Sequence, residues 1–474
     1  MLAVDLDGTL TLTDTLYESV LALLREHPLY FFFMLIWLLR GKAVFKAMLA
    51  ERVQLNVAAL PYNNDLIDWL KEERAGGRRL ILCTAANQKI AHAVAQHLSI
   101  FDSVMASDQI TNLKGQVKRA ALDSHFGPQG YDYAGDSEQD LFVWAGARQA
   151  VLVNATFQLQ QRASKVADIK RVFSKTEPQI LSWLRAVRLH QWLKNLLLFV
   201  PLAAAHQMGN LQSWQTLGLA FLAFGFCASA VYIVNDLMDL ESDRLHPRKR
   251  HRPFASAALT IPSGLLVASA LFLVALSIGL FVGGTFFLWL AAYLTLTFAY
   301  SMWLKRLILV DCLVLAGLYT LRVAAGAAAV AITLSFWLLT FSVFIFLSLA
   351  FVKRFAELKA QEAIGKDCAH GRGYKVVDAT LIQIMGVSVG YLAVLVLALY
   401  LQSETVTTLY QMPELIWLAV PLILFWISWV WLKAHRGEMH DDPIVFAMQD
   451  KTSFVVGVLV LLSFTLATIG LASP

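Results

Sequence analysis

Cysteine is scarce in this sequence, and its few positions form no pattern. The four cysteines stand singly, with no CxxC pair and no spacing that suits a metal site. This excludes a disulfide framework or a cysteine-bound metal as the organising feature, and it predicts packing residues in a reducing compartment. The four are Cys83, Cys227, Cys312 and Cys368.

We also expect no cleavable signal peptide, because Met1 leads directly into the apolar start of a predicted strand. The net charge of +5 is modest, and we predict no nucleic-acid partner. Apolar residues are abundant instead: 58% of the sequence is hydrophobic and the mean hydropathy is +0.58, far above a soluble average. The composition therefore predicts an integral membrane protein.

The apolar residues are distributed unevenly along the chain. Residues 1 to about 175 have the texture of a soluble α/β domain, whereas residues from about 189 onward are mostly apolar runs of membrane-spanning length. We predict an α/β domain over residues 1–165, a linker over 166–184 and an all-α membrane domain over 185–474.

Polar side chains follow three predicted strands of the first domain. Asp5 and Asp7 end the opening strand, Thr84 follows an apolar strand at 79–83, and Asp136 ends a strand that begins near residue 131, with Asp140 close behind. Because open α/β sheets place their chemistry at the carboxyl ends of the strands, these residues are predicted to meet.

The order DxDGT, strand-end Thr, Lys and GDxxxD resembles the haloacid dehalogenase (HAD) superfamily of phosphatases. The resemblance implies a Rossmannoid α/β fold with Asp5 as nucleophile and Asp7 as general acid and base. It also implies that Thr84 and Lys118 hold the phosphoryl group, that Asp5, Asp7 and Asp136 bind Mg²⁺, and that Asp140 supports them. Spacing leaves Lys114 as a competitor for the lysine role. A HAD fold kept only as a structural module is the alternative.

An insertion between the first two motifs, residues 16 to about 76, matches the position of a HAD cap domain. Within it, residues 29–39 are apolar on all sides but only about half the length needed to cross a bilayer. The basic residues Arg40, Lys42 and Lys46 follow. The pattern indicates a segment at the membrane interface, and a buried cap helix or a contact with the second domain is the alternative.

The second domain is predicted to contain about nine transmembrane helices. The apolar runs cover 189–206, 214–236, 262–283, 285–303, 307–331, 334–352, 379–401, 414–432 and 452–471. Connections that contain Lys or Arg alternate with connections that contain none, so the positive-inside rule places the basic ones in the cytoplasm. This predicts a multi-pass protein of the cell (inner) membrane whose α/β domain and active sites are cytoplasmic.

The segment 235–253 combines ordered acids with a run of bases. On a helix Asp236, Asp239 and Asp243 share one stripe, because they lie at i, i+3 and i+7. Crowded carboxylates at a membrane helix end repel one another unless cations bind them, most plausibly Mg²⁺, and magnesium implies a phosphate ligand. The alternative is a topogenic loop capped by solvated acids.

Further polar residues gather at the same predicted side, and Asp311 and Arg322 lie within a predicted span, where charges usually face a polar cavity. The whole pattern resembles the UbiA superfamily of intramembrane prenyltransferases. Three elements, at 188–195, 246–253 and 300–305, look closest to the decaprenyl-phosphate phosphoribosyltransferase subgroup. The second aspartate-rich motif of ordinary UbiA enzymes is reduced here to Asp311.

The resemblance implies transfer of 5-phosphoribose from phosphoribosyl pyrophosphate to a polyprenyl phosphate, with the first domain dephosphorylating the lipid-linked product. Asp236, Asp239 and Asp243 would hold Mg²⁺ on the leaving diphosphate. The predicted substrate-binding residues are Lys194, Asn195, Asn235, Lys249, Arg252, Tyr300, Lys305, Lys353, Arg354 and Arg372. For Lys305, Lys353 and Arg354 a snorkelling, topogenic role is the alternative.

Two other functions remain open. One is a prenyltransferase that uses a prenyl diphosphate and an aromatic or lipid acceptor, with a phosphatase of separate substrate. The other is a transporter or scaffold whose charges line a path, which predicts internal repeats and charges near the middle of the membrane. The sequence has no clear repeat, and its acids cluster at one edge.

Overall fold

The structure is a computed structural model of the chain. It describes residues 1–108, 111–174, 179–363, 365, 372–403, 406, 410–439 and 442–469, except for the side chains of residues 42 and 43. Three of the predicted packing cysteines, Cys83, Cys227 and Cys312, are free and buried, and Cys368 lies outside the described residues.

The N-terminal part is built on a parallel sheet of six strands in the order β3-β2-β1-β4-β5-β6. The central strand β1 is buried on both faces, as its continuous apolar sequence requires in a sheet covered by helices. The three strands expected from the sequence are confirmed as β1, β2 and β4. The strands are Leu2–Val4, Leu80–Asn87, Ser103–Ser107, Asp132–Gly135, Gln149–Val153 and Asp168–Phe173.

Nine helices accompany this sheet in the described residues up to 187. They are α1 Thr15–Glu26, α2 Tyr30–Leu39, α3 Lys42–Arg52, α4 Asn64–Ala75, α5 Gln88–Leu98, α6 Gln116–Phe126, α7 Leu141–Trp144, α8 Phe157–Ala163 and α9 Gln179–Val187. The predicted cap extended to about residue 76, but α4 packs on the sheet, because Leu66 and Leu70 belong to the same buried cluster as Leu2 and Val4. Helices α1 to α3 share a small separate cluster.

The predicted linker over 166–184 is also partly wrong. Strand β6 occupies Asp168–Phe173 and pairs in parallel with β5, and α9 covers Gln179–Val187. Asp168, Lys170 and Arg171 are half of the residues of β6, which lies at an edge of the sheet, and this charge gave the stretch the composition of a linker.

Eight helices in the described part of the chain are long and apolar enough to cross a membrane. The helices of this part are α10 Val200–Ala204, α11 Leu211–Met238, α12 Leu240–Leu245, α13 Ile261–Val282, α14 Gly284–Met302, α15 Val310–Ala329, α16 Phe336–Glu362, α17 Ala379–Leu401, α18 Ala419–His435, α19 Pro443–Gln449 and α20 Lys451–Ile469. The candidate spans are α11, α13 to α16, α17 and α18 with the short turns before them, and α20.

The predicted span 189–206 is wrong, and this reduces nine spans to eight. The residues form a 3-10 helix, Leu189–Phe199, followed by the five-residue α10. The high average hydropathy of the stretch gave no sign that two of its polar side chains, Lys194 and Asn195, are buried and bind partners inside the protein. Helix α16 also continues to Glu362, beyond its predicted end at 352.

The chain divides into two compact units, and the division departs from the predicted domain boundary. The first unit contains residues 1–187 together with 232–268, and the second contains 188–231 together with 269–474. The acidic segment 235–253 therefore belongs to the first unit.

One close approach fixes the 3-10 helix within the second unit. A Cβ atom added to Gly326 of α15 would lie 2.0 Å from the carbonyl oxygen of Leu198, whereas nothing lies within 4 Å of such an atom at Gly317 of the same helix.

We expect Gly326→Ala to lower the free energy of unfolding by about 1–3 kcal/mol, because the added methyl group must displace backbone. Gly317→Ala is the matched control and should leave stability unchanged or slightly raised. The measurement is thermal unfolding of the full-length protein in detergent, followed by tryptophan fluorescence. Equal midpoints for the two variants would contradict this packing.

Candidate active sites

Asp5 follows β1 and lies at the centre of a buried hydrogen-bond network. Its Oδ2 accepts hydrogen bonds from Lys118 Nζ at 2.7 Å and from the Tyr133 hydroxyl at 3.2 Å. Its Oδ1 accepts the Leu6 amide at 2.8 Å. Burial alone would lower the pKa of Lys118, but the adjacent Asp5 and Asp140 carboxylates raise it. Lys118 therefore stays protonated beside the carboxylate that it orients.

This geometry distinguishes the two candidate lysines. Lys118 is buried and contacts Asp5, whereas Lys114 is exposed. Both stand near the start of α6, but the helix directs Lys118 toward the sheet. Contact with the expected nucleophile therefore favours Lys118 for the lysine role.

Three carboxylates meet at the carboxyl edge of the sheet. Oxygens of Asp5, Asp136 and Asp140 lie within 4.8 Å of one another, and among the described residues this is the group that could hold a metal ion. Burial, together with the nearby Asp140 and Asp5, raises the pKa of Asp136 to about 8. Such crowding favours a bound cation, so these residues fit a divalent metal.

Hydrogen bonds and close packing hold the loops that carry these carboxylates in one conformation. Asp140 Oδ2 accepts the amides of Asp136 and Ser137 at 3.1 and 2.9 Å, which orders the turn after β4. Gly8 has a φ of +76°, and a Cβ atom there would lie 2.1 Å from Asp136 Oδ2. The glycine of the DxDGT motif is thus required both by its backbone conformation and by its closeness to Asp136.

Asp7 is not part of the carboxylate cluster. Its Oδ1 accepts the Thr15 amide at 2.8 Å at the start of α1, and its role as a metal ligand stays a prediction. Burial, with the charge of Asp14 next, raises its pKa to about 7. A carboxyl group that titrates near neutral pH suits the predicted acid and base role.

Two polar residues at this edge were missed by sequence reasoning. Tyr133 donates to Asp140 Oδ1 at 2.9 Å and so connects Asp140 with Asp5. Lys46 of α3 donates to the Ala85 carbonyl at 2.7 Å, directly after the buried Thr84. Neither residue belongs to a motif, so the sequence contained no signal for a role at this site. Tyr133 stood within a predicted strand, and Lys46 was one of several bases after the aromatic stretch.

The aromatic helix α2 is largely exposed. Only Met34 and Trp37 are buried, whereas Phe32 is 65% and Leu39 is 90% exposed. A buried cap helix, one of the two alternatives for residues 29–39, is therefore wrong, because the helix has more apolar sides than the cap can cover. Such an exposed apolar surface marks an interaction site.

The acidic segment forms a nearly continuous helical stripe. Asp239 separates α11 from α12, and the amides of Asp239 and Asp243 still donate to carbonyls four residues earlier, each at 2.9 Å. Asp236 and Asp243 are buried. Arg252 Nη1 binds Asp236 Oδ1 at 3.1 Å and Asp243 Oδ2 at 2.6 Å, so these two side chains converge rather than splay into water.

The stripe fits a metal only in part. Its three carboxylates do not form a second metal-sized group among the described residues. Asp243 Oδ1, however, is buried without a hydrogen-bond partner, with Lys249 Nζ 3.9 Å away. An unsatisfied buried oxygen is suited to a cation ligand. Arg252 and Lys249, predicted as phosphate ligands, lie on these carboxylates.

A buried ion pair connects the acidic segment to the cap. Arg244 of α12 donates to both oxygens of Glu18 on α1, at 2.6 and 3.1 Å, and the two side chains are only 9% and 7% exposed. A second pair between the same helices, Arg25 with Glu241 at 3.4 Å, is 45% and 48% exposed. The contact holds the segment of Asp243 against the helix whose first turn binds Asp7.

Within the second unit, Asp442 binds two of the lysines that were predicted as substrate ligands. Its Oδ2 accepts Lys194 Nζ at 2.6 Å and Lys353 Nζ at 3.2 Å, and the Tyr319 hydroxyl donates at 3.0 Å. Asp442 also caps α19 through the Ile444 amide. Sequence reasoning omitted Asp442, because its loop carried only a topogenic signal.

Asp311 stands in a separate network. Arg354 binds its Oδ2 at 2.6 Å, Arg372 at 3.3 Å, and the Tyr374 hydroxyl donates to its Oδ1 at 2.5 Å. Arg354 is fully buried among these partners, and its substrate-binding role stays a prediction. The surviving aspartate of the second motif is thus neutralised by arginine.

The remaining residues predicted for the membrane domain are buried or half-buried. Asn195 is buried and accepts from Arg322 Nε at 3.0 Å, within a network that includes Tyr293. Tyr300 accepts from Arg372 at 3.2 Å at the end of α14. Asn235 and Lys305 are half-buried, next to Asp236 and in the turn Leu304–Arg306 respectively.

Together these features define a polytopic membrane protein that carries an α/β domain with clustered carboxylates and a paired lysine. The chain belongs to the UbiA prenyltransferase family, which matches residues 196–455, and its N-terminal residues 2–142 match the haloacid dehalogenase-like hydrolases. Both predicted resemblances are confirmed.

Three relatives are similar to this chain over different shares of its length. "Uncharacterized protein y4nM" of Sinorhizobium fredii is 37% identical, over 98% of this chain and 90% of its own length. "Nodulation protein NoeC" of Azorhizobium caulinodans is 37% identical, over 58% of this chain and 89% of its own length. "Decaprenyl-phosphate phosphoribosyltransferase" of Corynebacterium glutamicum is 39% identical, over 38% of this chain and 56% of its own length.

We expect Glu18→Gln to lower the free energy of unfolding of the first unit by about 3 kcal/mol, because it leaves Arg244 charged and unpaired in a buried position. Arg25→Gln, which breaks the exposed pair between the same helices, should cost under about 1 kcal/mol. Chemical unfolding of the full-length protein in detergent measures both. Similar losses for the two variants would show that the buried pair contributes no more than the exposed one.

Proposed function

We propose that the membrane part transfers 5-phosphoribose from phosphoribosyl pyrophosphate to a polyprenyl phosphate and releases pyrophosphate. Similarity to the Corynebacterium glutamicum protein named decaprenyl-phosphate phosphoribosyltransferase supports this. The observation that carries the proposal is the acidic segment, in which Asp236 and Asp243 converge on Arg252 while Asp243 Oδ1 has no hydrogen-bond partner. Such a segment is suited to a metal diphosphate.

Asp236, Asp239 and Asp243 would hold Mg²⁺, which when bound offsets the negative charge of the pyrophosphate leaving group. Arg252 already lies on two anionic oxygens and is placed to exchange them for those of a diphosphate. Asn235 and Lys249 would add polar contacts. As the leaving group departs, the ribose C1 gains positive character and the lipid phosphate attacks it.

The proposed phosphatase step removes the 5-phosphate from the lipid-linked product. Asp5 attacks phosphorus, and Lys118 and Thr84 hold the phosphoryl oxygens, which reduces the repulsion between two anions. As the bond between phosphorus and the ribose 5-oxygen breaks, Asp7, with its pKa raised to about 7, gives a proton to that oxygen, which leaves as a hydroxyl. Water then hydrolyses the phosphoryl group from Asp5, with Asp7 as the base.

Two observations support consecutive action by the two domains. The Glu18–Arg244 pair joins the cap to the acidic segment within one compact unit. The exposed apolar face of α2 is suited to the interface of a membrane, where a lipid-linked phosphomonoester would present its head group. We propose that both sites act at the cytoplasmic face of the inner membrane.

A prenyltransferase with a prenyl diphosphate donor is the second candidate, because the family that matches residues 196–455 is the UbiA prenyltransferase family. The pairing of Asp311 with Arg354 and Arg372 argues against it, since these arginines neutralise the one acid left of a second metal motif.

We expect Asp5→Asn to accumulate the phosphorylated lipid, because the nucleophile is lost while the transferase residues are intact. Membranes supplied with labelled phosphoribosyl pyrophosphate and polyprenyl phosphate should release label as free phosphate at least about 100-fold more slowly. Lys114→Ala, which alters an exposed lysine just before α6, is the control and should behave as wild type. An unchanged product distribution for Asp5→Asn would end the proposal of consecutive steps.

We expect Asp236→Asn to slow formation of the first lipid product by about 100-fold or more, since metal-held charge stabilisation contributes several kcal/mol. Glu241→Gln, an exposed acid on α12, is the matched control. Both variants and wild type are assayed with phosphoribosyl pyrophosphate and, separately, with a prenyl diphosphate and an aromatic acceptor. Turnover of the prenyl diphosphate alone would replace the proposed function with the second candidate.

A further inference from the structure

Lys194 and Lys353 come from distant parts of the sequence but bind the same oxygen atom, Oδ2 of Asp442. The sequence analysis predicted both lysines as substrate-binding residues. Two ammonium groups that share one carboxylate oxygen are close enough to share one phosphoryl group. The Tyr319 hydroxyl donates to the same carboxylate and fixes it from another side.

The charges around this group do not balance within the second unit. Lys194, Lys353 and Arg322 lie around Tyr319 and Asp442, and among the described residues of this cluster Asp442 is the one carboxylate. Arg322 is held by neutral oxygens, of Asn195, Leu318 and Tyr293.

The neighbouring network, by contrast, is balanced. There Arg354 and Arg372 are paired with Asp311 and Glu357. Glu357 also interacts with Lys353. Among the described residues the two networks together therefore have two more cations than carboxylates, and this excess lies largely around Asp442. Buried excess charge is costly in a membrane protein, and a dianionic ligand would remove that cost.

We propose that Lys194 and Lys353 form a single binding site for one phosphoryl group, and that Asp442 is the positioning residue that holds the two lysines together. The ligand class is a phosphate monoester or the terminal phosphate of a diphosphate. Asp442 does not touch the ligand. It acts by lowering the repulsion between the lysines and by fixing their direction. The assignment of this site to the lipid acceptor or to the donor rests on the proposed function.

Asp450 provides a matched control. It resembles Asp442 in capping a helix, since its Oδ2 accepts the Ser453 amide at 2.7 Å, and it also accepts the Trp429 indole N–H at 3.1 Å. It contacts neither lysine of the site. Asp442→Asn and Asp450→Asn therefore remove the same charge from two helix caps, and only the first disturbs the lysines.

The experiment measures equilibrium binding to the full-length protein in detergent micelles, with farnesyl phosphate, farnesol and phosphoribosyl pyrophosphate as probes. Asp442→Asn should weaken binding of one of the two phosphorylated probes by about tenfold, because a lysine that Asp442 no longer holds in place loses its charge-assisted contact with the ligand. Farnesol should bind as it does to wild type. Asp442→Glu, which keeps the charge, should recover most of the affinity, and Asp450→Asn should bind every probe normally.

The affected probe identifies the source of the phosphoryl group: farnesyl phosphate indicates the lipid acceptor, and phosphoribosyl pyrophosphate indicates the donor. The KM of that substrate should rise while kcat changes little. Lys353→Met tests the same site and should give the same selective loss, which covers the case in which Asp442→Asn does not fold.

Wild-type affinity of Asp442→Asn and Lys353→Met for both phosphorylated probes would overturn the proposal. Equal weakening of farnesol, or an equal loss in Asp450→Asn, would also overturn it, because the effect would then be structural. Binding is measured without turnover, so it tests this site separately from the proposed function. If the wild-type protein binds these probes in a way that depends on Asp442 but transfers no phosphoribose, the proposed function alone is contradicted.

Discussion

Carboxylates that leave water need cations against them, and this requirement arranges the polar residues throughout the chain. Asp5 is paired with Lys118, Asp311 with Arg354, and each of these pairs is buried. A buried pair contributes little net stability, because dehydration offsets most of the attraction, but it makes one arrangement far better than the others. The pairs therefore specify where the reactive groups point. The acidic segment follows the same rule, since Arg252 holds together two aspartates that would otherwise repel each other.

The sequence predicted the residues that lie at strand ends or along one helix, because regular geometry carries them together. Asp5 and Asp136 meet for this reason, since they follow the neighbouring parallel strands β1 and β4. Partners from distant segments could not be predicted. Lys194 and Asp442 are 248 residues apart, and no periodicity connects a 3-10 helix with a loop near the end of the chain. The motifs therefore identified the sites, but not their neighbours.

The errors have a common physical origin, which is that hydropathy does not tell where a polar side chain points. Residues 189–206 counted as a span because apolar residues surround Lys194 and Asn195, yet both polar side chains are directed inward. Arg354, predicted as a substrate ligand, stands next to Lys353 within α16, but the two side chains take different directions. Neighbouring residues on a helix point about 100° apart, so one faces Asp442 and the other is enclosed with Asp311. Helix α2 was correctly identified as unusually apolar, and only the structure showed that most of it is exposed.

A few contacts connect Asp7 of the α/β domain, through helix α1 of the cap, with the acidic segment. Asp7 binds the amide of Thr15 at the first turn of α1, Glu18 follows one turn later, and its partner Arg244 is the neighbour of Asp243. If the two reactions follow one another as proposed, the first product is released into a bilayer that also contains the unreacted lipid. A phosphatase free in solution would have to find that product among many similar head groups. A phosphatase held to the acidic segment by a buried pair meets it at a high effective concentration, and the exposed pair between the same helices could not maintain this position alone.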